Sequence, residues 1–492
     1  MAEKGYDVVV IGAGSAAYEA AVAARQAGAE RIVMLEKAAE ADSGGNARFS
    51  HTGFRFVFSG PEEIRAFVPD TDEGFFRTLH IPPYTREDFL SDLERVTRGR
   101  IDRTLAEYMV DSSNGALHWM RETGIRWEPE KSVLVDGKRY FEPGIVLHPK
   151  GGGRGQIAQW RAIAEGLGIE IRFGSRVSGF LGDDRAVEGV RVSTRDSAYD
   201  LEGKAVIACS GGFQANIEMR ARYLGPNADL VKVRGSRHNT GEVLRMMLDL
   251  GAKPAGHWQG AHATPIDAAA PDVETPLRED GRGNTMNRYD YMYGITVNTL
   301  GERFYDEGEA RHSYTYAKTG RAVLAQPGGI AYQIFDRKGI SLFRHGPDYP
   351  ATHEEAETIA TLAAKIGLAP EVLGRTVEQF NAAVRDEVPF DPRRLDGRCT
   401  EGLTPRKSNW AVRIDEPPFR AYPITCGITF TFGGVAIDTG AHVLNSADEP
   451  IRGLYASGDV VGLFFHNYPS CTGQTRNAVF SRTAARNAVV GN

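Results

Sequence analysis

The sequence lacks the features that mark membrane, secreted and nucleic-acid-binding proteins. No apolar run reaches the roughly 18–20 residues that span a bilayer, and the polar N-terminus predicts no signal peptide. There is no basic run, and 58 Lys and Arg against 64 Asp and Glu give a net charge of −6. The four cysteines are scattered and form no CxxC pair, which argues against a disulfide framework or a metal site. We therefore expect a cytoplasmic protein with no membrane span, no metal and no nucleic-acid partner.

Lysine is also scarce, with 12 residues against 46 arginines, whereas glycine is abundant at 56 of 492 residues. Genomic base composition is the simplest explanation of the arginine excess. Arginine is, however, also the side chain that holds carboxylates with two parallel hydrogen bonds. The position of each arginine therefore decides whether it has a functional role.

The first 36 residues predict a nucleotide-binding βαβ unit. The run 7–11 is apolar and β-branched, which is typical of a parallel strand buried on both faces. A helix of small residues follows to residue 27, and a second strand over 31–35 ends at Glu36. The GxGxxA pattern of residues 12–17 lies between the first strand and the helix, with Glu36 placed 24 residues after Gly12. This is the context that the dinucleotide fingerprint requires.

Each residue of this pattern has a physical reason. Gly12 permits the tight turn, and Gly14 lets the backbone approach a pyrophosphate closely. The N-terminus of the helix offers unpaired N–H groups and a partial positive charge. Glu36 would accept hydrogen bonds from a ribose diol and repel a 2′-phosphate. A glycine-rich turn in an ordinary α/β sheet is the simpler alternative, but the context favours the nucleotide.

The rest of the chain changes character twice. Strands are expected at 204–208 and 453–460, and a final helix over about 475–488. From about residue 257 the chain becomes aromatic and polar, and strand patterning returns after Pro417 and Pro418. Within this middle segment Thr352–Glu355 reads as a capping box that opens a helix, and a second helix is expected to begin near Pro370.

Three separated segments resemble the flavoprotein family of fumarate reductase, succinate dehydrogenase, aspartate oxidase and 3-ketosteroid dehydrogenase. The segments are VVVIGAGSAA (8–17) with LEK (35–37), AVIACSGG (205–212) and GLYASGDVVG (453–462). The likeness is greatest to the tricarballylate dehydrogenases of this family, through RFSHTGFRF (48–56), VRGSRHNTGEVLRMML (233–248), residues 294–328, and NYP with NAVFSR (467–482). A precorrin-synthesis flavoprotein shares much of this pattern and stays as an alternative.

The resemblance implies an α/β fold with a Rossmann-like FAD-binding domain built from both chain ends and an inserted α+β capping domain. We expect the FAD-binding domain over 1–256 and 430–492 and the capping domain over 257–429. The resemblance implies FAD as the cofactor, and we expect it to be non-covalently bound although His51 is nearby. Carried over by position, its ligands are Gly12, Gly14, Ser15, Ala16, Glu36, Lys37, Ser43, Gly44, Gly45, Asn46, Val177, Gly211, Gly458, Asp459, Gly473 and Thr475.

The family reaction is oxidation of a CH–CH bond next to a carboxylate, or its reverse. The run from Gly301 to Arg311 matches the family's G-x-R-F-x-[ND]-E-x-x-x-R, which places Arg311 on the arginine that transfers the proton. A salt bridge to Glu307 or Glu309 is the alternative role for Arg311. His262 matches the histidine that binds a substrate carboxylate, although a lone histidine is more often structural.

The chain departs from the fumarate reductase pattern at other positions. A second substrate histidine would fall near Thr429, and the C-terminal clamping arginine is replaced by a segment beginning at Tyr468. Arg476 could compensate or could simply open the last helix, and Arg237, His238 and Tyr468 are further substrate-binding candidates. These departures argue against plain fumarate or succinate and favour a larger or differently charged acid, of which tricarballylate is an example.

The electron acceptor is expected to be separate from the chain. No second dinucleotide fingerprint appears, so NAD(P)H is not expected to bind. A protein, a quinone pathway or oxygen would then accept the electrons. Enoate reductase, ketosteroid-type and precorrin activities remain as enzyme alternatives, and a flavin-carrying electron-transfer subunit remains as an alternative of another class.

Overall fold

The computed structural model describes residues 3–279, 284–343 and 351–491. Within these ranges the strands are β1 (Glu3–Ile11), β2 (Ile32–Leu35), β3 (Phe54–Arg55), β4 (Trp127–Pro129), β5 (Val133–Val135), β6 (Lys138–Tyr140), β7 (Ile145–Pro149), β8 (Glu170–Arg172), β9 (Arg176–Gly182), β10 (Val187–Ser193), β11 (Ala198–Ala208), β12 (Lys232–Val233), β13 (Pro254–Ala255), β14 (Ala261–Asp267), β15 (Ile295–Asn298), β16 (Ile330–Phe335), β17 (Glu354–Ala356), β18 (Phe419–Thr431), β19 (Gly434–Val435), β20 (His442–Leu444) and β21 (Pro450–Ala456).

The helices of the same ranges are α1 (Ser15–Gln26), α2 (Pro61–Phe67), α3 (Glu73–Thr78), α4 (Arg86–Thr97), α5 (Arg103–Thr123), α6 (Gly152–Gly166), α7 (Ile217–Tyr223), α8 (Glu242–Leu250), α9 (His312–Leu324), α10 (Arg337–Ser341), α11 (Ile359–Lys365), α12 (Pro370–Ala383) and α13 (Thr472–Val490). None of the described helices is both long enough and apolar enough to cross a membrane.

An eight-stranded sheet carries the nucleotide-binding unit. Its main path runs β20-β21-β11-β1-β2-β8, and the hairpin strands β10 and β9 extend it from β11. The strands β21, β11, β1, β2 and β8 are parallel to one another, with Val9 opposite Val206 and Val10 opposite Met34. The predicted βαβ unit is confirmed, and the C-terminal strand β21 joins the same sheet, as expected for a domain built from both chain ends.

Small side chains let α1 lie close to this sheet. Ala17, Ala20, Ala21 and Ala24 are fully buried along its length, and the helix also contacts α6 and α13. A face without bulky side chains brings the helix axis near the strands, so the N-terminus of α1 is held directly beyond the end of β1. This position is what the phosphate-binding turn needs.

A second sheet of six strands lies in the middle of the chain. Its path is β12-β18-β16-β15, and β14 and β17 also pair with β18. A separate hydrophobic core that includes Ile295, Leu362, Leu373 and Phe380 joins it to α11 and α12. Most of its strands come from 257–429, as the change of character indicated, but β12 reaches it from 232–233. The domain boundaries themselves stay a prediction.

The helix predicted to start at a capping box of Thr352–Glu355 is wrong. Residues 354–356 form β17, whose Glu354 pairs with Ala421 of β18. The helix begins at Ile359 instead, with Thr358 as its N-cap accepting a hydrogen bond from the Thr361 N–H at 3.1 Å. Pairing with a strand some sixty residues away therefore overrides the local helix signal. The helix expected from Pro370 is confirmed.

Candidate active site

The carboxyl ends of the parallel strands open into a cavity of about 1670 Å³. One wall consists of the loops after β1, β2 and β11, and the opposite wall comes from β14, β18 and α9. The first turn of α13 closes part of the rim. Ligands of open α/β sheets bind at this edge of the sheet, and the second sheet here encloses the space.

Gly12 makes the turn that leaves β1. Its φ is +114°, and a Cβ at this position would lie 2.7 Å from the carbonyl oxygen of Cys209. Both the backbone conformation and the close approach of β11 exclude a side chain. The role predicted for Gly12 therefore has a direct geometric reason.

Gly14 has a different reason to be glycine. Its φ of −83° and ψ of −178° suit any residue, and the protein atom nearest to an added Cβ would be the Gly44 oxygen at 3.9 Å. Gly14 is the N-cap of α1, faces the cavity, and no side chain caps the helix there. Neither strain nor packing against the protein explains the glycine, so the space beside it suits a bound group. An uncapped helix N-terminus favours an anion there.

Glu36 closes the turn from the side of β2. Its Oε2 accepts the N–H of Ala13 and its Oε1 accepts the N–H of Ala38, both at 2.8 Å. The carboxylate lines the cavity and is 7% exposed. Each oxygen keeps a further lone pair for a donor from the cavity, as the ribose prediction requires.

Most of the predicted cofactor residues line this one cavity. They are Gly12, Gly14, Ser15, Ala16, Glu36, Lys37, Gly45, Asn46, Val177, Gly211, Gly458, Asp459 and Gly473. Ser43, Gly44 and Thr475 are not among the lining residues. The Ser43 hydroxyl donates to the Glu40 carbonyl, Gly44 packs against Ile157, and the buried Thr475 hydroxyl donates to the Arg55 carbonyl.

His262 lies on β14 in a network of aromatic hydroxyl groups. Its Nδ1 is 3.4 Å from the Tyr468 hydroxyl, which is 2.9 Å from the Tyr316 hydroxyl. Ser470 donates to Tyr316 at 3.3 Å. The Nε2 of His262 is buried and has no hydrogen-bond partner in the structure. This nitrogen is available to a ligand in the cavity.

Burial sets the charge of this network. It lowers the pKa of His262 well below 6.5, and the nearby charge of Arg234 lowers it further. Burial likewise raises the pKa of Tyr316 and of Tyr468 well above 10. His262 is therefore an uncharged imidazole at neutral pH, and both tyrosines keep their protons.

Arg311 is the N-cap of α9 and also lines the cavity. Its guanidinium donates to the Arg393 carbonyl and makes no salt bridge with the residues that the structure describes. The two acids that were the alternative partners form salt bridges with other residues: Glu307 pairs with Arg303, and Glu309 pairs with Lys318. The salt-bridge interpretation of Arg311 is wrong, which leaves a cation facing the cavity.

The four predicted substrate-binding residues divide into two groups. Tyr468 and His238 line the cavity. Arg237 lies outside it, with an exposed side chain that pairs with Glu274 at 2.7 Å. Arg476 is buried and donates to Asp459 instead of facing the cavity. The geometry thus gives no support to a substrate contact by either of these two arginines.

Several residues of the cavity were not predicted from the sequence. Ser313 of α9 donates to Glu142 at 2.9 Å, and the His312 Nδ1 lies 3.7 Å from the same carboxylate. Tyr316 follows His312 by four residues and so shares its helix face. The position of these residues directly after Arg311, with His312 and Tyr316 four residues apart, could have predicted that they share the site. Glu142 could not be found in this way, because only the fold brings it to α9.

The sequence profile of the FAD binding domain family matches residues 7–474. The chain belongs to this family. It is 29% identical over 489 residues to a probable fumarate reductase, Ifc3, of Shewanella frigidimarina, covering 98% of this chain and 74% of that protein. It is 28% identical to the urocanate reductase of Eggerthella lenta over 98% of this chain and 74% of the relative. The open conformation of a flavocytochrome c3 fumarate reductase superposes with a TM-score of 0.71 and 26% identity, over 99% of this chain and 78% of that one.

Membership of this family, together with these relatives, makes the chain an FAD-dependent oxidoreductase that acts on CH–CH or C=C bonds. The cavity fits FAD on its own geometry, since the glycine turn, the uncapped helix N-terminus and the acid at the end of β2 meet at one edge. Gly12, Gly14 and Ser15 would hold the diphosphate and Glu36 the ribose. Bound there, FAD supplies a two-electron acceptor that takes a hydride.

His51 lies in the cavity wall beside a buried carboxylate. Its Nε2 is 2.7 Å from Oε2 of Glu130. The side-chain atoms of His51, Glu130 and His148 that are capable of metal ligation lie within 4.8 Å of one another. Burial alone would raise the pKa of Glu130, but the two histidines lower it to about 2. The carboxylate is therefore charged, and it is hydrogen-bonded to the Nε2 of His51. The non-covalent attachment of FAD stays a prediction.

Proposed function

We propose that the chain desaturates a polycarboxylate such as tricarballylate at a CH–CH bond next to a carboxylate. One observation carries the proposal. Arg311 and His262 share a single cavity with the glycine turn of the family, and Arg311 has no salt bridge among the described residues. A cation and an uncharged imidazole thus face the space where a substrate would meet the cofactor.

The residues have separate tasks in this reaction. His262 is uncharged, so its Nε2 binds a substrate carboxylate as a hydrogen-bond donor rather than as a competing acid. Arg311 first passes a proton of its guanidinium to a relay group beside α9, because the charged guanidinium cannot act as a base. The neutral guanidine then takes up the proton from the carbon next to the carboxylate. General acid–base catalysis of this kind contributes roughly 10²–10⁴-fold. The walls hold the acid in one orientation, which adds a further entropic advantage.

The reverse reaction, reduction of an unsaturated acid, is the second candidate. The names of the fumarate reductase and urocanate reductase relatives favour it. The residues required are the same, because Arg311 would then deliver the proton that it otherwise removes. Direction depends on the electron acceptor or donor, which is a separate molecule in either case.

Steady-state turnover separates these candidates. The purified enzyme is supplied with an artificial acceptor and a series of saturated di- and tricarboxylates, and in parallel with a reduced dye and the matching unsaturated acids. We expect the saturated tricarboxylate to lose two hydrogens, with the alkene identified by mass spectrometry. Turnover in the reductive assay alone would select the second candidate. If no acid is turned over in either assay while the flavin still exchanges electrons with the dyes, the chain is an electron-transfer subunit.

A further inference from the structure

Arg234 is a buried cation in the wall of the cavity. It follows β12, where its N–H donates to the Ile428 carbonyl at 2.9 Å and its own carbonyl accepts the Thr275 hydroxyl at 2.8 Å. The residue is 8% exposed. Its backbone is thus fixed on both sides, and its side chain is directed to the cavity that also contains His262.

The guanidinium of Arg234 has few partners. Its Nη1 donates to the Thr429 hydroxyl at 2.5 Å, and its buried Nε has no hydrogen-bond partner in the described part of the chain. No carboxylate of the described ranges forms a salt bridge with it. A charge removed from water without a counter-ion is costly, so the arrangement needs an anion that the described protein does not supply.

Comparison with the other buried arginines makes this need specific. Among the described residues, each of the others is compensated: Arg55 by Asp92, Arg288 by Asp267, Arg476 by Asp459, and Arg220 by the carbonyls of Gln214, Ala228 and Asp229. Arg234 has a single hydroxyl instead. The charge of every other buried guanidinium in the described ranges is thus balanced by a carboxylate or surrounded by carbonyls, whereas that of Arg234 is left open toward the cavity.

The surroundings favour a carboxylate over other anions. Thr429 fixes one arm of the planar guanidinium, and the ring of the next residue, Phe430, lies 5.4 Å from that of His262. The Nε2 of His262 also lacks a hydrogen-bond partner among the described residues. The edge of the guanidinium with the unpartnered Nε matches the two oxygens of one carboxylate, so His262 stays available for the carboxylate at the reacting carbon. The glycine turn at Gly12–Ser15 provides a separate place for phosphate groups.

We propose that Arg234, oriented by Thr429, forms a carboxylate-binding subsite next to His262. The inference rests on the proposed function and deepens it, because it defines the substrate class as acids with a carboxylate beyond the one at the reacting carbon. It also gives to Arg234 the clamping role that the sequence suggested for Arg476.

Binding of malonate to the FAD-loaded enzyme tests the subsite without turnover. Malonate has no CH–CH bond to oxidise, and its neutral diamide, malonamide, is the comparison ligand. By calorimetry we expect wild type to bind malonate and not malonamide. Arg234→Gln should weaken malonate binding about 10- to 100-fold, the range for a charge-assisted pair. Arg234→Lys should lie between, because it keeps the charge but loses the planar fork.

Two further variants and the FAD content control the result. Thr429→Val should weaken malonate several-fold by releasing the guanidinium, whereas Arg245→Gln, an exposed arginine of α8 paired with Glu218, should change nothing. All variants should keep FAD. Loss of FAD from Arg234→Gln would overturn the inference, because Arg234 would then hold the cofactor. If Arg234→Gln does not fold, the Lys variant decides.

The outcome is separable from that of the proposed function. Malonate binding that depends on Arg234, in an enzyme that oxidises no tricarballylate, would support the subsite and reject the desaturation. Tricarballylate oxidation with an unchanged KM in Arg234→Gln would reject the subsite and leave the desaturation standing. A wild-type enzyme that binds neither acid would overturn the subsite.

Discussion

Replacement of Gly14 by alanine separates folding from cofactor binding. The backbone of Gly14 suits any residue, and the added methyl group would find no protein atom closer than 3.9 Å. Folding of the flavin-free protein should therefore lose at most about 1 kcal/mol, the difference between glycine and alanine at an N-cap. If a diphosphate lies against this backbone, overpacking costs roughly 1–3 kcal/mol. FAD affinity should then fall about 5- to 150-fold.

Gly28 provides the matched control at the other end of the same helix. Its φ is +107°, and a Cβ there would meet nothing within 4 Å. Gly28→Ala should cost about 1–2 kcal/mol of stability through backbone strain and leave FAD affinity unchanged. Thermal melts of flavin-free protein and calorimetric titration with FAD measure both quantities. If Gly14→Ala binds FAD as tightly as wild type does, the diphosphate does not lie at this turn.

Three further predictions follow from individual residues. Arg311→Lys should keep FAD but slow flavin reduction by roughly 10²–10⁴-fold, whereas Arg337→Lys, an exposed arginine on α10, should not; equal rates would remove the assigned role. Gly12→Ala should lose both FAD and stability, because its Cβ would lie 2.7 Å from the Cys209 oxygen; wild-type melting would contradict the turn geometry. Burial raises the pKa of Glu19 to about 8 from 4.5, so the folded state holds this proton more tightly and stability falls as pH rises between these values. The free energy of unfolding of Glu19→Gln should therefore exceed that of wild type by on the order of 3 kcal/mol at pH 7 and by little at pH 4.5. A difference between the two proteins in thermal melts that does not change with pH would refute this prediction.

The nucleotide-binding unit could be predicted because its signals are local. The apolar run of β1, the glycines and Glu36 lie within thirty residues, and parallel strands bring their ends together by geometry alone. The helix predicted from Thr352 was wrong, because pairing with β18 depends on a distant part of the chain. Local patterns thus described the FAD side of the site better than the inserted segment.

Charge partners could not be predicted from spacing. Arg476 and Arg237 looked available in the sequence, but Asp459 and Glu274 engage them in the fold. No sequence pattern marks Arg234, because what distinguishes it is the lack of a counter-ion among the residues that the structure describes. Such an absence exists only once every neighbour has been placed.

Anaerobic mixing of the purified enzyme with tricarballylate tests the central claim most directly. The absorbance of the bound oxidised flavin is recorded near its visible maximum, with the acid as the sole source of electrons. We expect this band to bleach and one molecule of alkene to appear for each flavin reduced. A flavin that stays oxidised with tricarballylate and with every other polycarboxylate would contradict it.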